Sequence, residues 1–176
     1  MEKKALRRRS AEICYNILFG AQRHFATYEI VAKLPTYVGL LTTGIGIYLL
    51  AYQNSFSKPI SLLITIIGLG IWHLNSYSKE KDNYIDVGKK LTEQYNQVRS
   101  IFEKIETSNE EEVNALERQL NEINSKFQNI SIHKQVFGSN VFAHYKLFAE
   151  CQVEWLEKEL NLKFFKDKIP ASLKIT

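Results

Sequence analysis

Four histidines, two cysteines and a run of glutamates are the residues whose types could do chemistry, and their spacing decides how far that goes. His24, His73, His133 and His144 are scattered and show neither an HExxH pattern nor paired ligand spacing. His133 and His144 share a helix face only if one helix runs unbroken through Gly138, so surface or core histidines are the simpler reading. Cys14 and Cys151 stand far apart, form no metal or redox spacing, and suggest a reducing compartment rather than a disulfide framework. Glu110, Glu111 and Glu112 fall at an expected helix start, where the helix dipole favours acidic groups; they read as a cap, not as a carboxylate pair. The GIG at Gly44–Gly46 and the GLG at Gly68–Gly70 lie inside apolar runs rather than in phosphate-cradling loops. No catalytic, cofactor or metal constellation is predicted, and the chain is not expected to be an enzyme.

The elements that would position any site are easier to read. The mean hydropathy of −0.23 is that of a soluble protein, but it averages over a sharp division. Leu34 to Gln53 contains no charged residue, and neither does Pro59 to Ser78, while the rest is rich in Lys, Arg, Glu and Asp. The two apolar runs, 34–52 and 59–77, would each make roughly 28 Å of helix, close to the hydrocarbon thickness of a bilayer. Two such helices joined by QNSFSK are hard to bury in a chain of 176 residues. The fold class expected is therefore all-α: a transmembrane hairpin, an amphipathic helix before it over 1–33, and a helical cytoplasmic region over 78–176.

Topology follows from charge. The net charge is +4, with the excess ahead of the first run in Lys3, Lys4, Arg7, Arg8, Arg9, Arg23 and Lys33, and with Lys79, Lys81, Lys89 and Lys90 after the second. The connecting loop holds only Lys58. The positive-inside bias puts both termini in the cytoplasm and residues 53–58 outside. Tyr48, Tyr52 and Phe56 would mark the outer interface and Tyr37, Trp72 and Tyr77 the inner one. Pro35 is expected in the first turn of its helix. The first run starts late and follows a charged, helix-compatible segment, so it should be retained as an anchor. Arg7, Arg8 and Arg9 would suit anionic lipid headgroups; nucleic acid is disfavoured because no aromatic residues interleave with them.

Within the spans small residues recur at helical spacing: Gly39, Thr43 and Gly46 on one helix, Ser61, Thr65 and Gly68 on the other. Such stripes let backbones approach closely in lipid. A tight hairpin inside one subunit and packing between subunits around an oligomeric pore both remain open. No Asp, Glu, Lys or Arg lies in either span, which argues against proton relays, coupled transport and voltage sensing. His73 and Asn75 fall near the inner interface, where solvation accounts for them.

Heptads follow the second span. Tyr84, Gly88, Leu91, Tyr95, Val98, Phe102 and Ile105 step by four and three, as do Val113, Leu116, Leu120, Ile123, Phe127 and Ile130 after a polar turn. These predict an antiparallel, coiled-coil-like pair whose seam holds Leu91, Tyr95, Val98 and Phe102 against Leu116, Leu120, Ile123 and Phe127. Ser108 with Glu111 has capping-box spacing for the second helix. A last helical stretch is expected over about 135–163, with Gly138 and Ser139 interrupting or starting it.

From about Ala5 to Ile105 the chain resembles the SLATT family of two-transmembrane effector proteins. The likeness rests on Gly20, Gln22, His24 and Phe25 before the membrane, on the short-looped hairpin, and on Gly88, Tyr95 and Arg99 after it. What the resemblance implies is an antiphage defence effector that disrupts the bacterial inner membrane on a signal from a partner sensor or nucleotidyltransferase. It implies homo-oligomers in a lipid bilayer, no cofactor, and no catalytic residues to carry over. The alternative is an anchor whose cytoplasmic helices recruit a soluble partner.

Overall fold

A computed structural model describes residues 3–51, 57–130, 135–150 and 153–160, and among them every regular element is helical. The helices are α1 (Lys3–Ala51), α2 (Ser57–Ser78), α3 (Lys81–Ile105), α4 (Glu110–Gln128), α5 (Ser139–Glu150) and α6 (Glu154–Leu160). Expectations for Tyr52, Phe56, His133, Cys151 and the chain beyond Leu160 lie outside the described residues.

The most consequential element is α1, a single helix of 49 residues that spans roughly 70 Å. No break falls between residues 33 and 34, where a separate amphipathic helix was expected to end. Pro35 therefore lies in a helix interior rather than in a first turn. An interior proline removes one backbone bond and costs about 3 kcal/mol. Continuous helix on both sides, one side packed on protein, outweighs that loss.

The first part of α1 buries one face. Leu6, Ser10, Cys14, Ile17, Ala21, His24, Thr27 and Val31 recur at steps of three and four and are all buried. Ser10 and Thr27 solve their own polar problem: each hydroxyl donates back along the helix, to the Arg7 carbonyl at 2.8 Å and the Arg23 carbonyl at 2.9 Å. Against this face runs α3, antiparallel: Arg7 reaches Glu106, the Cys14 thiol faces the Tyr95 carbonyl, and the His24 ring lies near that of Tyr84. Gly88 is required where the two helices meet, because a Cβ there would come within 2.6 Å of the Phe25 ring.

The chain leaves α2 through a short turn at Lys79 and Glu80 before α3 begins. The next turn ends in a capping box on Asn109: Glu112 N–H donates to Asn109 Oδ1 at 2.9 Å and Asn109 N–H donates to Glu112 Oε2 at 2.8 Å. The box is one residue later than expected, because the Ser108 hydroxyl is committed to the Lys104 carbonyl at 2.8 Å. Glu110, Glu111 and Glu112 occupy the first turn of α4. Gly138, at φ +87°, turns the chain into α5. The last helical stretch is thus two helices, α5 and α6, rather than one.

The expected seam residues do enter a core, but not that of a two-helix coil. Leu91, Tyr95, Val98, Phe102, Leu116, Leu120 and Ile123 join Leu6, Cys14, Ile17 and Leu18 of α1 in one cluster, with Phe127 packed against it. Leu147 of α5, Val153 just ahead of α6 and Leu156 of α6 complete it. The bundle is built around α1.

Candidate functional site

Beyond Val31 the character of α1 reverses. Leu34, Tyr37, Leu40, Leu41, Ile47 and Tyr48 are exposed, as are Leu62, Leu63, Ile66, Leu69 and Trp72 of α2. By length and composition α1 can cross a membrane, and α2 carries a shorter apolar stretch, Leu62–Trp72. A contiguous exposed surface of this kind far exceeds the scattered apolar residues of a soluble monomer. Its hydroxyls are served within the helix: Thr42 donates to the Val38 carbonyl and Thr43 to that of Gly39.

The small-residue stripes lie on this surface. A Cβ added at Gly39, Gly46 or Gly68 would meet nothing within 4 Å. Thr43 and Thr65 are exposed; of the Ser61 side chain nothing is described. Where α1, α2 and α3 meet, an open cleft of about 400 Å³ lies between Val31 and Pro35 on one side and Gly68 and Trp72 on the other, with Ser78 and Lys81 at its rim.

The other end of α1 is tied to the bundle. Arg7 Nη1 bonds Glu106 at 2.7 Å and its Nε bonds Glu159 at 3.2 Å, while its guanidinium lies 4.7 Å from the centre of the Phe102 ring. Arg9 donates to Asn121 Oδ1 at 2.7 Å and lies 3.8 Å from Glu117. Arg8 pairs with Glu12 one turn on. Arg7 thus joins α1, α3 and α6, and Arg9 joins α1 to α4. Arg7 stands 27 residues before Leu34, roughly 40 Å along the helix from the apolar surface. For these two side chains protein carboxylates and an amide fill the place that lipid headgroups were expected to take.

Nearer the apolar surface α5 is clamped to α1 by contacts that no local pattern announces. Lys146, almost fully buried, bonds Glu29 at 2.5 Å, and just ahead of α5 the Gln135 side-chain amide lies within hydrogen-bond distance of the Thr27 hydroxyl. The His144 ring packs 4.5 Å from that of Phe19, and burial holds its pKa below the usual histidine value. Burial also pushes the Cys14 thiol up to about 12, so the thiolate that reactivity needs does not form near neutrality.

Four of the residues that carried the family likeness come together on the α1–α3 face. Gln22, Phe25, Tyr95 and Arg99 line a shallow groove of about 610 Å³ with Lys89 and Asn96. Arg99 pairs with Glu103 at 3.1 Å. His24 points its Nδ1 at the Gly20 carbonyl at 2.8 Å. No group of three His, Cys, Asp or Glu able to hold a metal occurs among the described residues.

The whole chain, residues 1–176, matches the family model described as SMODS and SLOG-associating 2TM effector domain 6. No curated protein and no solved structure matches.

Proposed function

The chain belongs to the SLATT family of membrane effector domains, and from that premise we propose that it is the membrane-acting component of an antiphage defence system. Residues 34–52 and 59–77 cross the cell membrane as a hairpin, with both termini and the helical bundle in the cytoplasm. Several copies associate through Gly39, Thr43, Gly46, Ser61, Thr65 and Gly68, and a signal from a partner sensor or nucleotidyltransferase turns the assembly into a membrane-permeabilising pore.

The observation that carries this reading is the continuity of α1. One continuous helix has a protein-buried face up to Val31 and an exposed apolar surface from Leu34 onward. A displacement of α3, α5 or α6 against its first half reaches its second half along the same helix, across the turn that Pro35 weakens. The vacancy around the glycines supports association between chains, since no neighbour within one chain uses the space. The absence of charge in the spans suits a passive pore rather than a transporter.

The test is induced expression together with the neighbouring genes, under activation, with membrane potential and exclusion of an impermeant dye recorded. Depolarisation and dye entry are expected, and both should be lost in Gly39→Leu and Gly68→Leu. Intact potential and dye exclusion under activation would remove the pore reading. The α1–α3 groove favours one second reading, an anchor that recruits a soluble partner. It predicts that the glycine variants retain function while Leu120→Asp abolishes it.

A further inference from the structure

The cleft at the junction of α1, α2 and α3 is the cavity whose chemistry points to a ligand. Its walls are apolar: Val31 and Pro35 from α1, Gly68 and Trp72 from α2. Its rim carries Ser78 and Lys81. Gly68 leaves the wall open, with nothing within 4 Å of where a side chain would begin, and Trp72 is 77% exposed beside it. The flanking acids Glu80 and Asp82 do not line the cleft, and among the described residues that do, the charged one is Lys81. The apolar lining covers about one turn of each helix, Val31 to Pro35 and Gly68 to Trp72, roughly 6 Å along each axis, with Ser78 and Lys81 beyond it. Pro35, which has no N–H, also leaves the Val31 carbonyl without its helical donor at the wall.

We propose that this cleft holds one anionic phospholipid of the inner leaflet, with an acyl chain between α1 and α2 and the phosphate at Lys81. The proposal rests on the membrane reading above. An apolar wall on each side with a single ammonium at one end fits an amphiphile, whereas a free anion would leave the walls empty. A lipid seated there would brace α1 against α2 at the point where the bundle meets the membrane. The strength of the coupling would then depend on lipid composition.

Trp72 is a reporter already in place, and Trp155, against the Phe102 ring in the bundle, gives a constant background. The full chain is reconstituted in phosphatidylcholine nanodiscs containing equal fractions of brominated phosphatidylglycerol or brominated phosphatidylcholine, and tryptophan quenching is compared. Occupancy by the anionic lipid should be favoured roughly fivefold, the effect expected of one lysine near an anionic surface. The preference should vanish in Lys81→Gln and in Ala32→Phe, which fills the cleft, and should survive excess inorganic phosphate. Equal quenching by both lipids overturns the inference while leaving the membrane reading intact. Quenching by neither overturns both. A preference retained in Lys81→Gln, or abolished by inorganic phosphate, also overturns it.

Discussion

The two halves of α1 are made from one unbroken helix, yet they obey opposite rules. From Leu6 to Val31 the apolar residues form a stripe, and everything on it is buried against α3, α4, α5 or α6. From Leu34 to Tyr48 the apolar residues go all the way round and the large ones stand exposed. A stripe is the mark of a helix that meets water on its other side, and all-round apolarity is the mark of one that does not. The lesson is that one helix can be built for two solvents, with the change occurring over the single turn from Val31 to Leu34.

That contrast can be broken or sharpened by substitution. The largest effect is expected from Leu120→Ala, which removes a fully buried side chain from the bundle and should destabilise it by about 2–5 kcal/mol. The matching change in the other half, Leu40→Ala, should leave bundle stability within about 0.5 kcal/mol. Denaturant unfolding in detergent, followed through the bundle, measures both; similar losses would erase the distinction between the halves. Next comes Lys146→Ala, which leaves Glu29 with the longer pair to Lys33 at 4.0 Å. Because Glu29 is a quarter exposed, a loss of about 1–3 kcal/mol is expected rather than the full value for a buried pair. Gly88→Ala sets overpacking against Phe25, about 1–3 kcal/mol, against a helix-propensity gain of about 1 kcal/mol; a net loss near 1 kcal/mol should follow.

The smallest effect near neutrality concerns pH. Burial raises the Cys14 thiol from 9.0 to about 12, so the folded chain keeps a proton that the unfolded chain releases. Its contribution to stability is complete below pH 9 and is lost as pH rises toward 12. The stability difference between the native chain and Cys14→Ala, set by lost packing, should therefore be constant below pH 9 and change above it.

Much of this was readable in the residues, for definite reasons. Charge-free runs of bilayer length and buried faces at steps of three and four are local patterns, and sequence carries local patterns well. Periodicity says that a face is buried but not against what, which is why Leu91 to Phe102 read as half of a two-helix coil when α1 lies among their partners. Ser108–Glu111 and Asn109–Glu112 offer the same capping spacing one residue apart; only the Ser108 hydroxyl's bond to Lys104 decides between them. Pro35 looked like a helix start because its local signal is identical in a first turn and in a packed interior. Glu29 with Lys146, and Arg7 with Glu106 and Glu159, join residues a hundred or more positions apart or nearly so, and no spacing rule reaches that far. The seven-residue α6 and the cleft under Lys81 depend on the same long-range assembly.

The central claim is that the second half of α1 and α2 lie in the bilayer while the bundle lies in the cytoplasm. Cysteine labelling in intact and lysed cells, on a Cys14→Ala, Cys151→Ser background with an impermeant maleimide, tests it most directly. The account predicts that Asn54→Cys is labelled in intact cells, Lys104→Cys only after lysis, and Leu40→Cys and Ile66→Cys in neither. Labelling of Leu40→Cys and Ile66→Cys as readily as Lys104→Cys after lysis, or of Lys104→Cys in intact cells, would contradict it.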